Sequence, residues 1–298
     1  MKNMNVNPLA QYLSRMQPDP GVHEVGVPGL RLARIDDVSE GCQPVVYKPS
    51  LYVVAQGSKT AHLSDEYFVY DELNFLVLTV PLALQCQVTA ASPDKPYLAM
   101  QIDFNLEQLN EILLEMGDSH GTDEKQGDRG IFVSNMSGDF LDCLLRILKS
   151  LDDPTRAKVV APLAIKEALY HVLNSEQGAS LRAFAYRDRH HFQIATVIRY
   201  ISENFSESLD VSELAKIANM SSSSFHHYFK LITSDSPIQY IKTIRLHEAR
   251  KKMLLNDLSA SDASYQVGYA SPSQFSREYK RLFGESPSKD IEQARLAQ

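Results

Sequence analysis

The stretch VGYASPSQFSREYKRLFGESP, Val267 to Pro287, decides how the back half of this chain is read, because its pattern occurs twice. Phe275, Tyr279, Lys280 and Ser286-Pro287 have counterparts at a constant offset of 50 in Phe225, Phe229, Lys230 and Ser236-Pro237. Upstream of each, a small residue stands four before a turn former: Ala215 before Asn219, and Ser264 before Gly268. Small residues let two helices cross closely, and Asn or Gly tolerates the left-handed residue of a tight inter-helix turn. The second copy is one residue longer in that turn.

Each copy therefore predicts helix, short turn, helix. In the first, Val211 to Ala218 puts Val211, Leu214, Ala215 and Ala218 on one face behind the N-cap residue Asp210. Its partner opens at Ser221, runs to about Ile232 and buries Phe225 and Phe229. In the second copy the helices run from about Ser261 to Val267 and from Ser271 to about Phe283, burying Phe275 and Tyr279. This is the helix-turn-helix pattern, whose second helix enters the DNA major groove by its N-terminal end.

The faces opposite the buried aromatics carry Ser222, Ser223, His226, His227 and Lys230 in one copy and Ser273, Gln274, Arg277 and Lys280 in the other. Arg277 suits a bidentate contact to guanine and Gln274 one to adenine, while the histidines can donate to base acceptors or phosphates. The cap serines Ser221 and Ser271 stand at helix N-termini, where free N–H groups and the dipole favour phosphate, and Lys230 and Lys280 add charge. One such polar face alone would read as merely solvated; two at one offset point to DNA. Between the copies, Pro237 to Leu255 predicts a continuous helix of roughly 28 Å at ~1.5 Å per residue. That rod could set two reading helices about one DNA turn (~34 Å) apart.

Charge divides the chain in the same place. The whole carries −7, but residues 1–180 hold 14 Lys and Arg against 24 Asp and Glu, whereas 181–298 hold 16 against 13. An acidic front and a mildly basic back suggest separate jobs. With 298 residues, 44% apolar and 22% charged, the chain has the makings of two globular domains and is neither collagenous nor wholly disordered. Three cysteines (Cys42, Cys86, Cys143) make no disulfide framework and suit a reducing cytoplasm. Met1 to Ala10 lacks the apolar core of a signal peptide, and the longest apolar candidate, Phe75 to Leu84, is interrupted by Thr79 and Pro81, so no membrane partner is expected.

The front half changes period along its length. Residues 45–104 alternate as strands: Leu51 to Ala55 leads into Gln56-Gly57-Ser58-Lys59, read as a hairpin turn. Tyr67 to Tyr70, Phe75 to Val80, Leu82 to Val88 and Tyr97 to Phe104 follow. Five or more short strands predict a sandwich or small barrel. Helical spacing begins after Asn105, with further helices at 139–150 and 160–174 whose amphipathic faces serve either as a dimer seam or as a lid. Gly117 to Gly130 is read as a flexible loop, and Ala179 to Arg189, without a clear face, as the inter-domain connection.

SELAKIANMSSSSFHHYFK, QYIKTIRLHEAR and VGYASPSQFSREYKRLFGESP together resemble the DNA-binding domain of the AraC/XylS family of bacterial transcription regulators, over Ile194 to Glu292. Carried over by motif, the base-meeting positions fall on Ser223, His226 and His227, and on Ser273, Gln274 and Arg277 with Pro272 alongside. Two departures stand out: Ser234 replaces the usual glycine after the first motif, and Asp290 replaces the usual aromatic after the last Ser-Pro. LYVVAQGSK and KPYLAMQIDF, within Pro49 to Glu115, resemble the N-terminal domain of one AraC-type branch, similar to aldehyde-responsive regulators. The resemblance implies a cupin-like ligand-sensing barrel followed by helices used in dimerisation.

The expected fold is thus α+β. Residues 1–178 form a cupin-like β-barrel or sandwich (about 45–105) with appended helices (about 106–175), and 179–193 form a linker. Residues 194–292 form an all-α domain with helix-turn-helix motifs at about 211–232 and 261–283 joined by a long helix. A cupin enzyme would need clustered His and Glu, yet His23, His62, His120 and His171 fall at no ligand spacing, so no metal, cofactor or catalysis is expected. A co-regulator without DNA binding would show acidic or apolar reading faces. The expected partners are double-stranded DNA, RNA polymerase, a small-molecule effector and a second copy in a homodimer. Cys86, on the apolar face of Leu82, Leu84, Cys86 and Val88, reads either as a buried small hydrophobe or as a thiol that meets an electrophile.

Overall fold

The computed structural model describes residues 7–38, 45–117, 129–185 and 190–296. In chain order, α1 (Pro8–Met16), β1 (Gly21–Glu24), β2 (Leu30–Ile35), β3 (Val45–Tyr47), β4 (Ser50–Gln56) and β5 (Ser58–Leu63) come first. Then follow β6 (Glu66–Asp71), β7 (Asn74–Leu78), β8 (Leu82–Ala90), β9 (Tyr97–Asp103), α2 (Leu106–Met116) and β10 (Ile131–Asn135). The rest is helical: α3 (Gly138–Ser150), α4 (Pro154–Leu173), α5 (Gly178–Ala185), α6 (His190–Asn204), α7 (Val211–Ile217), α8 (Ser222–Thr233), α9 (Pro237–Asn256), α10 (Ala260–Gln266), α11 (Pro272–Phe283) and α12 (Pro287–Leu296).

The strands form a six-stranded sheet, β1-β2-β9-β4-β7-β10, and a four-stranded sheet, β3-β8-β5-β6. No hydrogen-bonded ring closes them among the described residues, so the expected barrel or sandwich is an open two-sheet arrangement. Tyr52 and Tyr97 from one sheet, and Tyr70 and Cys86 from the other, are all buried. The strand set also extends beyond 45–105. β2 pairs with β9 along its whole length, β1 pairs with β2, and β10 adds to β7. β1 and β10 are edge strands of only 4 and 5 residues, too short to show alternation without their partners.

Gln56-Gly57-Ser58 does not turn a hairpin. β4 pairs with β7 and β9, whereas β5 pairs with β6 and β8. Gly57 has φ +84°, and a Cβ there would run into the Ala90 carbonyl oxygen and lie 3.2 Å from Tyr97 Cα. The glycine marks a corner that carries the chain from one sheet to the other, because the local signal specifies a bend but not which strand lies opposite.

The helical segments differ from expectation in two places. α4 begins at Pro154 behind the Asp153 cap rather than at 160, and passes through Pro162. The segment read as a faceless connection is mostly helical: α5 buries Leu181, Phe184 and Ala185, and α6 starts at His190. Residues 118–128, most of the Gly117–Gly130 loop, lie outside the described residues, as do Cys42 and His120.

The core has two parts. One continuous apolar cluster runs from Leu9 through both sheets and the first helix-turn-helix to Phe229, Tyr240, Ile241 and Ile244. A second, built from Leu246, Ala249, Met253, Val267, Phe275, Tyr279 and Phe283, belongs to the second motif. The break falls inside α9. The first motif is tied to the front half by polar contacts as well: Tyr240 Oη donates to the Pro81 carbonyl at 2.9 Å, and Gly130 N–H to the Ile232 carbonyl at 3.0 Å.

Candidate nucleic-acid interface

Both helix pairs turn by the same local device. Asn219 (φ 53°) and Gly268 (φ +88°) are left-handed. The next N–H in each case, Met220 or Tyr269, reaches back to Ala215 or Ser264 at 3.0 Å. Asn219 and Gly268 themselves donate to Lys216 and Tyr265 at 2.9 and 3.0 Å. This double bond pattern is the Schellman ending, which satisfies the last carbonyls of a helix while reversing the chain. The small residues seen in the sequence, Ala215 and Ser264, are the ones whose carbonyls accept the longer-range bond of each pair.

Each second helix starts on a serine. Ser221 Oγ accepts from Ser224 N–H at 3.2 Å, and Ser271 Oγ from Gln274 N–H at 3.3 Å. Phe225, Phe229, Phe275 and Tyr279 are buried, the contacts that fix which face of α8 and α11 points out. Ser221, Ser222, Ser223, His226, His227 and Lys230 are exposed on α8 or its cap. On α11, Ser273, Gln274, Arg277 and Lys280 are exposed, with Ser271 and Pro272 half-buried. Arg277 makes no hydrogen bond or ion pair among the described residues. Gln274 differs: its Nε2 donates to Glu278 Oε1 at 3.1 Å, which holds the amide along its own helix.

Ser234 ends α8 in the left-handed region (φ 64°), as Gly284 ends α11 (φ +84°). The helix exit is the same; the serine adopts a backbone that glycine takes without strain. The other departure has a structural use. Asp290, 2% exposed, accepts from Arg250 Nε and from Tyr279 Oη, each at 2.7 Å, and α12 continues to Leu296. Burial, with the Asp290 contact, holds the Tyr279 phenol well above its ordinary range.

Sequence reasoning passed over three charged residues of α9 that brace this interface. Arg245 donates to the carbonyls of Phe205 (2.7 Å), Glu207 (2.7 Å) and Gly268 (3.1 Å), tying the end of α6 to the second turn. Lys242 pairs with Glu278 at 2.8 Å, and Glu278 also accepts from Tyr269. Arg250 holds Asp290. The available signal was a long helix with basic residues among its apolar positions, but their partners lie up to 40 residues away.

Residues 26–180 match the model of the AraC-type transcriptional regulator N-terminus, and residues 214–293 match that of a helix-turn-helix domain. The first match alone covers more than half of the chain. The chain belongs to the AraC-type transcriptional regulators. It is a DNA-binding regulator of transcription rather than an enzyme. Among its relatives, the thermoregulatory protein LcrF of Yersinia pestis is 26% identical over 256 residues, 83% of this chain and 88% of LcrF. The transcriptional activator RhaS of the Pestoides F strain of Yersinia pestis is 25% identical over 162 residues, 53% of this chain and 58% of RhaS. ToxT of Vibrio cholerae, solved with (E)-4-(8-methylnaphthalen-1-yl)but-3-enoic acid, shares the fold at TM-score 0.60. Identity there is 11% over 88% of this chain and 97% of ToxT.

This AraC-type regulator has a cleft of about 900 Å³ between its two halves. Val46, Lys48, Thr79, Pro81 and Phe104 line it from the front half, and Arg199, Ile244, His247, Lys251 and Leu254 from the back. Two buried polar atoms beside it, Thr79 Oγ1 and His247 Nε2, have no hydrogen-bond partner among the described residues. Burial, helped by Arg250, pushes the His247 imidazole down to about 4. Cys86 does not line this cleft; it is 3% exposed on β8, opposite Ala61 of β5. No helix among the described residues is long and apolar enough to cross a membrane.

Proposed function

We propose that this chain is an effector-responsive, sequence-specific regulator that lays α8 and α11 into two adjacent major grooves of one promoter. The observation that carries the reading is the pair of exposed polar faces, each opening on a serine cap and each held outward by two buried aromatics. Ser222, Ser223, His226 and His227 read bases in one groove, and Pro272, Ser273, Gln274 and Arg277 in the other. Ser221, Lys230, Ser271 and Lys280 hold phosphates. α9, with 20 residues, gives a spacing of roughly 30 Å, near one turn of DNA.

The effector belongs in the cleft rather than at Cys86. Lys48, Arg199, Arg250 and Lys251 outnumber Glu107 and Glu248 in a lining that is otherwise largely apolar, which suits an apolar molecule with an acidic head. ToxT, of the same fold, was solved with an unsaturated fatty acid. The cleft touches α9 on both sides of the break between the two apolar clusters, at Ile244 and Leu254. A molecule bound there would favour one angle between the motifs over others, which is how binding energy biases a conformational equilibrium.

A homodimer through α4 completes the reading, since Val159, Leu163 and Tyr170 share one exposed face of that helix. RNA polymerase is the partner on the promoter. The test is selection of genomic fragments by the purified full-length protein, followed by gel shifts with Arg277→Ala and His227→Ala. Enrichment of a site with two short motifs about one helical turn apart supports the reading. No enrichment at low salt, with or without cell extract as a source of effector, overturns it.

A further inference from the structure

Outside the DNA-binding half, α3 and α4 bring together three metal-ligating side chains, Cys143, Glu167 and His171, that no sequence motif links. Glu167 and His171 lie one turn apart on α4, so both point to the same side of that helix. Cys143, fully buried on α3, faces them. One ligand atom from each of the three lies within 4.8 Å of the other two. In a tetrahedral zinc site, bond lengths of about 2.0–2.3 Å put neighbouring ligand atoms about 3.3–3.6 Å apart. Closing the cluster therefore needs movement of about 1 Å, within the reach of side-chain rotation on two packed helices.

The cluster already holds a positive charge. Arg146 Nη2 lies 3.3 Å from Cys143 Sγ and also donates to Glu167. Arg146 is about half exposed, and its guanidinium can swing into water without leaving a buried charge behind. A thiolate and a carboxylate would neutralise a divalent ion in its place, with the neutral imidazole as third ligand.

We propose that Cys143, Glu167 and His171 form a binding site for a divalent transition metal of the zinc class, with the fourth position open to water. Sulfur and imidazole exclude magnesium and calcium, which take oxygen ligands. A bound ion cross-links the α3–α4 hairpin. That hairpin also carries α1, through the Arg15–Asp152 ion pair at 2.7 Å and Lys149 over the Tyr12 ring. The spacing of histidines alone gave no hint of the site, because two of its three ligands are not histidine and Cys143 comes from a different helix than Glu167 and His171.

The experiment uses the full-length protein, stripped with a chelator and titrated with Co²⁺, then with Zn²⁺. One cobalt per chain is expected, with a sulfur-to-cobalt charge-transfer band that zinc abolishes. Cys143→Ala loses the band, while a Cys42→Ser/Cys86→Ser double variant keeps it. Glu167→Gln and His171→Ala, at half-buried positions that leave the apolar core untouched, each weaken binding at least about tenfold, the loss typical even for outer-shell changes. Arg146→Gln removes the competing cation and tightens binding, an effect that a purely structural ion pair would not produce. Absence of the band in wild type and in Arg146→Gln, or its survival in Cys143→Ala, overturns the proposal and leaves the cluster as an ion pair.

Discussion

Arg250 on α9 and Asp290 on α12 face each other as a two-pronged pair, Nε to Oδ2 at 2.7 Å and Nη2 to Oδ1 at 3.3 Å, with the carboxylate almost completely buried. Tyr279 of α11 donates to the same Oδ2. Three helices, α9, α11 and α12, thus converge on one carboxylate.

Removing one partner of a buried pair strands the other, which typically costs 3–5 kcal/mol. Asp290→Ala should therefore destabilise the second motif by about that amount and lower DNA affinity without touching the exposed polar faces of α8 and α11. Because that motif has its own apolar cluster, urea unfolding followed by tryptophan-free probes such as tyrosine fluorescence and circular dichroism should show an early, separate transition. A single unshifted transition would contradict the account.

Arg277 and Lys280 should fail differently. Arg277→Ala is expected to lose about 1–3 kcal/mol on the preferred site and to relax preference at one base position. Lys280→Ala should weaken all sequences alike and reduce the slope of log affinity against log salt by about 1. Gel shifts on the selected site and on single-base variants, over a series of salt concentrations, separate the two. Equal loss on every sequence for Arg277→Ala would remove it from base reading.

Ser234 sits at φ 64°, a conformation that costs an L-residue with a Cβ about 1–2 kcal/mol more than glycine. Ser234→Gly should then stabilise the protein by about 0.5–1 kcal/mol, despite the greater freedom glycine has when unfolded. Gly284→Ser should do the reverse in the second motif. The cap variant Ser271→Ala should cost about 1 kcal/mol. Thermal melts of the three variants check the signs together.

The His247 imidazole, held down to about 4 by burial, stays neutral in the folded chain at pH values where the unfolded chain takes up a proton. The unfolded group titrates near 6.5. Between these values the unfolded state binds more protons, so stability is greatest above about 6.5 and declines as pH falls toward 4. The loss attributable to this group is about 2–3 kcal/mol by pH 4. His247→Leu should flatten that part of the curve in urea titrations at pH 7 and pH 4.5; an unchanged slope would assign it to other groups.

If the cleft takes an acidic apolar effector, a long-chain carboxylate should raise the melting temperature more than the matching alcohol does. Lys251→Glu should abolish that difference while leaving DNA binding of the ligand-free protein intact. Equal shifts for acid and alcohol would put the head group elsewhere.

The helix-turn-helix pairs were legible because everything that specifies them is local. Caps, left-handed turns and aromatic spacing all act within about 20 residues, and the offset of 50 exposed them twice. The exposed polar faces of α8 and α11 followed, since burying Phe225, Phe229, Phe275 and Tyr279 leaves only one face for solvent. The strands of the front half were legible one by one but not in their pairing. Gly57 promised a hairpin and delivered a corner, and β1, β2 and β10 became visible only beside β9 and β7. A strand's neighbour is chosen by surfaces that the chain brings together from far away, and no local pattern encodes that choice. The same reason explains why Asp290 looked like a defect until Arg250 and Tyr279 closed around it, and why Cys143, Glu167 and His171 meet without any shared motif. Periodicity and capping settled which segments are helices and which sides face water; long-range packing alone settled which buried groups share a site.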